Sequence, residues 1–146
     1  MSLFEHAKSS ETEPEKSPTS VDFAAAQSAV ERLTRQYPAM ARTNLMEIRD
    51  LFSPSEEGDP EEVMQELRKF AHNFTGQGAS FNFPLISEIA DLLHHYLHAC
   101  GSYPALRREV VEAYFDAVQE VLDKELSGDG GDEGRAILAR LQGVTA

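Results

Sequence analysis

Apolar residues recur at steps of three and four along nearly the whole chain after residue 20. This spacing is that of one face of an α-helix. Nowhere do apolar and polar residues alternate beside a hairpin signal, as they would in a half-buried strand. The pattern therefore predicts an all-α protein.

Five apolar stripes follow one another, and a shorter one around residues 137–141 ends the chain. Their positions are Phe23, Ala26, Val30, Leu33 and Tyr37; Ala41, Leu45, Ile48 and Phe52; Val63, Leu67, Phe70 and Phe74; Ile86, Ile89, Leu93 and Leu97; and Leu106, Val110, Tyr114, Ala117 and Val121. Short connections between successive helices favour antiparallel neighbours. We therefore expect an up-and-down antiparallel four-helix bundle with an extra N-terminal helix and a short C-terminal helix.

Proline, glycine and aspartate mark the expected helix ends. Pro38 interrupts the first two stripes and predicts a break between them. Asp59 is a predicted N-cap, with Pro60 at the first helical position. Pro84 predicts a second restart and Gly101 a stop.

Composition divides the chain into three parts. Residues 1–20 are rich in Ser, Thr, Glu, Lys and Pro, which predicts a flexible tail. Residues 21–127 form the predicted helical-bundle domain. Residues 128–146 combine a Gly/Asp-rich linker with the short terminal helix.

Charge and cysteine content limit the classes of partner and the cellular compartments that we expect. The chain has 25 acidic and 13 basic residues and a formal net charge of −12. Such a surface repels phosphate backbones and anionic lipid, so neither nucleic acid nor a membrane is expected as a partner. A single cysteine, Cys100, excludes an intramolecular disulfide, and the N-terminus lacks the pattern of a signal peptide. We expect a cytoplasmic protein.

One histidine falls on the polar side of the predicted helix 59–81. His72 lies two residues from both Phe70 and Phe74, about 200° around the helix, so it is predicted to face solvent. The residues that share its ridge are Gln65, Arg68, Lys69, Thr75, Gly76 and Ala79.

This ridge has properties that suit phosphoryl transfer. An exposed neutral imidazole is a good nucleophile near neutral pH. Arg68 and Lys69 place positive charge one turn before it, where a phosphoryl group would carry negative charge. Gly76 leaves room for another protein, although glycine costs a helix about 1 kcal/mol relative to alanine. By itself, however, an exposed histidine beside Arg and Lys is more often an ordinary solvated face.

The segment AHNFTGQGASFNFPLISEIADLL, residues 71–93, resembles the signature of histidine phosphotransfer (HPt) domains. The matching elements are His72, Phe74, Gly76, the small residues Gly78 and Ala79, the aromatic Phe81, and an Asn-Phe-Pro break into a new helix. The resemblance implies that this stretch forms the two central helices of a four-helix bundle. It also implies that His72 is the phosphoryl carrier.

The chain departs from that family at one position of the signature. Many HPt domains have a lysine three residues after the histidine, where this chain has Thr75. Charge compensation would then come from Arg68 or Lys69, or from His94 and His98 on the next helix. His94 and His98 are also four residues apart, a spacing at which two histidines can hold zinc. No third ligand lies at a familiar spacing, so no metal site is expected.

The expected function is that of a phosphoryl carrier without catalytic activity of its own. It would exchange a phosphoryl group between His72 and the aspartates of response-regulator receiver domains, in a relay with a histidine kinase of the simple or hybrid type. Gln65, Gly76 and Ala79 would form the receiver-docking surface. The resemblance implies no cofactor on this chain, because Mg²⁺ belongs to the receiver, and we expect a monomer. The alternative is a helical-bundle adaptor that binds a receiver or another signalling protein without transferring anything.

Overall fold

A computed structural model describes residues 20–53 and 59–145. All regular secondary structure in these two ranges is helical, which confirms the predicted fold class. The helices are α1 (Ser20–Leu51), α2 (Pro60–Ser80), α3 (Pro84–Cys100), a one-turn 3₁₀ helix (Tyr103–Ala105), α4 (Arg108–Asp123) and α5 (Gly131–Thr145). The flexible tail predicted for residues 1–20 lies outside the described residues except for Ser20, with which α1 begins.

The chain divides into two units, residues 1–35 and 36–146. In the first unit the described residues are helical, and three large apolar side chains, Phe23, Val30 and Leu33, are exposed. The second unit contains the remainder of α1 and all of the other helices.

The predicted break at Pro38 is wrong, because α1 continues through this residue without interruption. Proline inside a helix removes one backbone hydrogen bond and costs about 3 kcal/mol. Tyr37, Ala41 and Leu45, next to Pro38 and just beyond it, are completely buried. Burial of a large apolar side chain contributes about 1.5–3 kcal/mol, so two such residues offset the cost of the proline.

The other predicted helix ends are confirmed. The side chain of Asp59 accepts a hydrogen bond of 3.3 Å from the backbone N–H of Glu61, and Pro60 occupies the first turn of α2. Pro84 likewise begins α3, and Gly101 ends that helix with a φ of +79°. Glycine adopts this left-handed conformation without steric cost.

The core of the second unit is apolar, and no buried polar or charged residue occurs in the part of the chain that the structure describes. Aromatic rings join elements far apart in sequence. The ring of Phe115 on α4 meets those of Phe52 and Phe70 edge to face, at centroid distances of 5.9 and 5.7 Å. Tyr37 on α1 stacks on Phe81 at 5.1 Å. These contacts hold the second half of α1 and helices α2 and α4 around one core.

Polar contacts establish the directions of α1 and α4. Arg42 donates a hydrogen bond of 2.8 Å to the carbonyl of Leu122, and Arg49 pairs with Asp116 at 2.7 Å. Residue numbers decrease along α4 as they increase along α1, so the second half of α1 and α4 are antiparallel.

Helix α5 is longer than the sequence predicts and begins inside the expected linker, at Gly131. It packs against α4 and buries Ile137 and Leu141. Two exposed ion pairs border this contact, between Lys124 and Glu133 and between Arg140 and Glu120, both at 2.8 Å.

The ion pairs show that α4 and α5 are antiparallel, and they change the acidity of Glu120. The residue number increases along α5 from Glu133 to Arg140, whereas that of the partner decreases from Lys124, the C-cap of α4, to Glu120 within that helix. Hydrogen bonds from Lys124 and Arg140 hold the pKa of the Glu120 carboxyl below its usual range. Within residues 20–53 and 59–145, no helix combines the length and apolar character needed to cross a membrane.

Candidate functional site

The core stripe of α2 directs His72 outward. Phe70, Ala71 and Phe74 are buried, whereas His72 between them is exposed. Its imidazole makes no hydrogen bond, ion pair or ring contact with any other described residue. Both ring nitrogens therefore remain open to a group that approaches from solvent.

The surface beside His72 is exposed and has small residues at two positions. Gly76 and Ala79, one and two turns further along α2, are exposed, and so is Gln65 two turns before His72. A Cβ atom built on Gly76 would meet nothing within 4 Å. No described residue therefore limits the space at Gly76, and a second protein can come close to the backbone of α2 here.

The two side chains predicted to place positive charge beside His72, Arg68 and Lys69, are exposed, and each already has a partner. Arg68 donates a hydrogen bond of 3.0 Å to the carbonyl of Gly101, at the end of α3. Lys69 pairs with Glu66 on its own helix at 3.1 Å. Pairs as exposed as these contribute at most about 1 kcal/mol, so either cation can exchange its partner for a bound anion.

Thr75 does not supply the positive charge of the lysine that many HPt domains have at the corresponding position. Its hydroxyl donates a hydrogen bond of 2.8 Å to the carbonyl of Ala71 on the same helix. Threonine often bonds to its own helix in this way. The side chain is half-buried, so it supplies neither a charge nor a free donor at the surface.

Ser87 on α3 makes a contact beside the ridge that the sequence does not reveal. Its hydroxyl donates to the carbonyl of Thr75 at 2.5 Å and accepts from the backbone N–H of Ala79 at 2.8 Å. These two groups normally pair with each other in the i→i−4 ladder of a helix. Ser87 thus fastens α3 to the turn of α2 that follows His72. The only sequence signal is a small polar residue three positions after Pro84.

Gly78 permits this close approach of α2 and α3. A Cβ atom on Gly78 would lie 2.7 Å from the carbonyl oxygen of Phe83 and 2.8 Å from the backbone nitrogen of Ser87. Real Cβ atoms do not come so close to backbone. The small residue predicted at this position is therefore a packing requirement of the helix pair.

The histidines of α3 lie on the helix that packs against α2. The contacts from Thr75 to Ser87 and from Arg68 to Gly101 show that α2 and α3 are antiparallel. His94 and His98 lie on the stretch of α3 between these contacts, as His72 does on α2, and both are exposed. Neither makes a hydrogen bond or a ring contact with His72. In the described part of the chain, no three His, Cys, Asp or Glu side chains are grouped as a metal ion would need.

A groove of about 820 Å³ lies beside this ridge, between α2 and the second half of α1. Its walls carry Asn44, Glu47, Ile48, Leu51, Glu62, Gln65, Glu66, Lys69, Phe70, Asn73 and Phe74. Two predicted ridge residues, Gln65 and Lys69, border it. The groove was not predicted, because the spacing of apolar residues does not specify how far apart two packed helices lie.

No protein-family model matches the chain, and no curated protein or solved structure matches it. The geometry around His72 is therefore the basis for a functional assignment. That geometry provides an accessible nucleophile, an open neighbouring surface and exchangeable positive charge.

Proposed function

We propose that this chain is a histidine-containing phosphotransfer protein that carries a phosphoryl group on His72. The observation that carries the proposal is the exposed imidazole without a partner, beside a stretch of α2 that Gly76 leaves open. Phosphoryl transfer between proteins needs a nucleophile that a second active site can enclose. His72 meets this requirement without a pocket of its own.

The helix pairs support a four-helix bundle as the scaffold. The second half of α1 runs antiparallel to α4, and α2 runs antiparallel to α3. In the proposed up-and-down bundle these four segments surround the common core, and α5 is an addition that covers α4 and part of α3. The exposed ridge of His72 then lies on the outer face of the α2–α3 pair.

The proposed chemistry is an in-line exchange of one bond to phosphorus. The lone pair of the unprotonated ring nitrogen of His72 forms an N–P bond as the P–O bond to the receiver aspartate breaks. The aspartate leaves as a free carboxylate, and an excess proton passes from the second ring nitrogen to solvent. The reverse reaction delivers the phosphoryl group to the aspartate of another receiver, so the chain is a carrier that is regenerated.

Charge compensation comes from residues that are near the ridge and already exposed. Lys69 exchanges Glu66 for the phosphoryl oxygens, and Arg68 can leave the Gly101 carbonyl in the same way. His94 and His98 are the candidates on α3 for a hydrogen bond to the phosphoryl group or to the partner. The Mg²⁺ ion belongs to the receiver, and the proposal requires no cofactor on this chain.

The proposed partners are response-regulator receiver domains and a histidine kinase of the simple or hybrid type, in the cytoplasm. A receiver docks on the surface formed by Gln65, Gly76 and Ala79 and places its phosphoaspartate over His72. The acidic groove residues Glu47, Glu62 and Glu66 favour a partner with a basic rim around its active site.

The test is phosphoryl transfer from several phosphorylated receiver domains with Mg²⁺, measured as acid-labile phosphate on this chain. Wild type is expected to accept the label and His72→Gln to lose it completely. His95→Gln is the matched control, because His95 is also exposed but is held by Asp91 on its own helix. Labelling of His72→Gln would contradict the proposal. Absence of labelling, together with measurable receiver binding, would favour the non-transferring adaptor instead.

A further inference from the structure

The first unit of the chain exposes a row of large apolar side chains. The exposed fractions of Phe23, Val30 and Leu33 are 57, 55 and 50%. Single exposed apolar residues are ordinary, but a contiguous row is typical of an interaction surface. In residues 36–145 the comparable stripes are buried, as Leu67 and Leu93 illustrate. The row in the first unit is therefore unusual for this molecule.

The spacing of the row is that of a helix–helix seam. Phe23, Ala26, Val30 and Leu33 are separated by three, four and three residues, which is the a/d pattern of a heptad. We call these four residues the α1 seam. Val30 and Leu33 are the β-branched and leucine side chains that favour two-stranded pairing at a and d.

The charges around the α1 seam allow it to meet an identical surface. Among the flanking e and g positions, Gln27, Ala29 and Thr34 are uncharged and Asp22 carries a negative charge. Within residues 20–35, two acidic residues (Asp22 and Glu31) balance two basic residues (Arg32 and Arg35), so the net charge of this stretch is zero. The whole chain carries −12, which opposes association of two copies least where the local net charge is zero.

We propose that the α1 seam pairs with the α1 seam of a second copy of this chain. A neutral, apolar and self-complementary surface fits a copy of itself better than a charged partner, for which it has no opposite charge. The proposal replaces the monomer expected from the sequence and does not depend on phosphotransfer by His72. The seam spans 11 residues, or about 16 Å of helix, so the contact is small and reversible.

The test is the molar mass of the full chain by multi-angle light scattering and sedimentation equilibrium, over roughly 1 µM to 1 mM, the range expected of a small interface. Wild type is expected to rise from 16.2 kDa towards twice that mass. Val30→Glu and Leu33→Glu place like charges at the seam and are expected to remain monomeric throughout. Ser28→Glu is the matched control, since it adds the same charge about 200° away on the same helix and should associate like wild type.

Circular dichroism of each variant establishes that the helices are retained, as expected for substitutions at exposed positions. A wild-type mass of 16.2 kDa at every concentration would overturn the proposal. It would also be overturned if Val30→Glu and Ser28→Glu associated equally well, because another surface would then be responsible. Phosphotransfer assays are independent of these masses, so failure of one proposal does not imply failure of the other.

Discussion

Gly76 and Gly78 lie two residues apart on α2 and have opposite surroundings. A Cβ atom at Gly76 would meet nothing within 4 Å, whereas at Gly78 it would lie 2.7 Å from the backbone of Phe83. We expect Gly76→Ala to raise the free energy of unfolding by up to about 1 kcal/mol, through helix propensity. Gly78→Ala should lower it by about 1–3 kcal/mol, because backbone must shift. Urea denaturation of both variants gives the comparison, and equal effects would contradict the packing described here.

The sequence predicts the exposure of His72 but not the state of its neighbours. Exposure follows from helical period, since Phe70 and Phe74 are buried on the opposite side of α2. The partner of Arg68 is the Gly101 carbonyl, 33 residues away, and no local pattern indicates that contact. The role of Ser87 was missed for the same reason, because it depends on the register of α2 against α3.

At the scale of the helices, the sequence predicts the helix ends that depend on a local cap or stop residue. It does not predict the helix boundaries that depend on packing against other helices. The Asp59 cap and the Gly101 stop need only their own backbone conformation and one or two neighbours. Pro38 lies within α1 because burial of Tyr37 and Leu45 outweighs a local penalty. The start of α5 in a Gly/Asp-rich segment has a related cause, since Gly134, Ile137 and Leu141 of this helix are buried.

The docking of α5 provides a prediction at this scale. Ile137 is 1% exposed, whereas Arg140 pairs with Glu120 at the surface. We expect Ile137→Ala to lower the free energy of unfolding by about 2–4 kcal/mol, and Arg140→Ala by less than about 1 kcal/mol. Amide hydrogen exchange should accelerate in α5 of the Ile137 variant before it does in α2. A larger loss for Arg140→Ala than for Ile137→Ala would mean that ion pairs, rather than apolar burial, hold this helix.

For the whole molecule, the sequence predicts the helical class and the order of the core stripes, because both follow from period alone. It does not predict how closely the helices pack. The groove between α1 and α2 and the tight contact at Gly78 are results of helix spacing, which depends on side chains from several segments at once. The spacing of apolar residues also does not predict that the α1 seam is exposed. Leu33 and Leu67 occupy equivalent positions in their stripes, yet Leu33 is exposed and Leu67 is buried.

The acid–base behaviour of the folded chain is determined at this scale as well, because tyrosines on three different helices are buried or half-buried. Burial raises the pKa of Tyr37 from 10.0 to about 12. Burial also raises the pKa of Tyr96 and Tyr114. The hydroxyl of Tyr37 has no hydrogen-bond partner among the described residues, so its ionised form would have no compensation. Ionisation of these groups would also add negative charge to a chain that already carries −12.

The raised pKa of Tyr37 therefore predicts that the free energy of unfolding decreases at high pH. Its folded pKa lies above its unfolded pKa, so its contribution is fully present below pH 10 and is lost as the pH rises from 10.0 towards about 12. The loss is about 2–3 kcal/mol for this one group. Tyr37→Phe removes an unpaired hydroxyl, so we expect unchanged or higher stability at pH 7 and a smaller decline above pH 10. Tyr103→Phe, at a partly exposed position, is the control and should decline as wild type does. Urea denaturation at pH 7, 10 and 11 measures these differences, and identical profiles for wild type and Tyr37→Phe would show that Tyr37 ionises without opposing the fold.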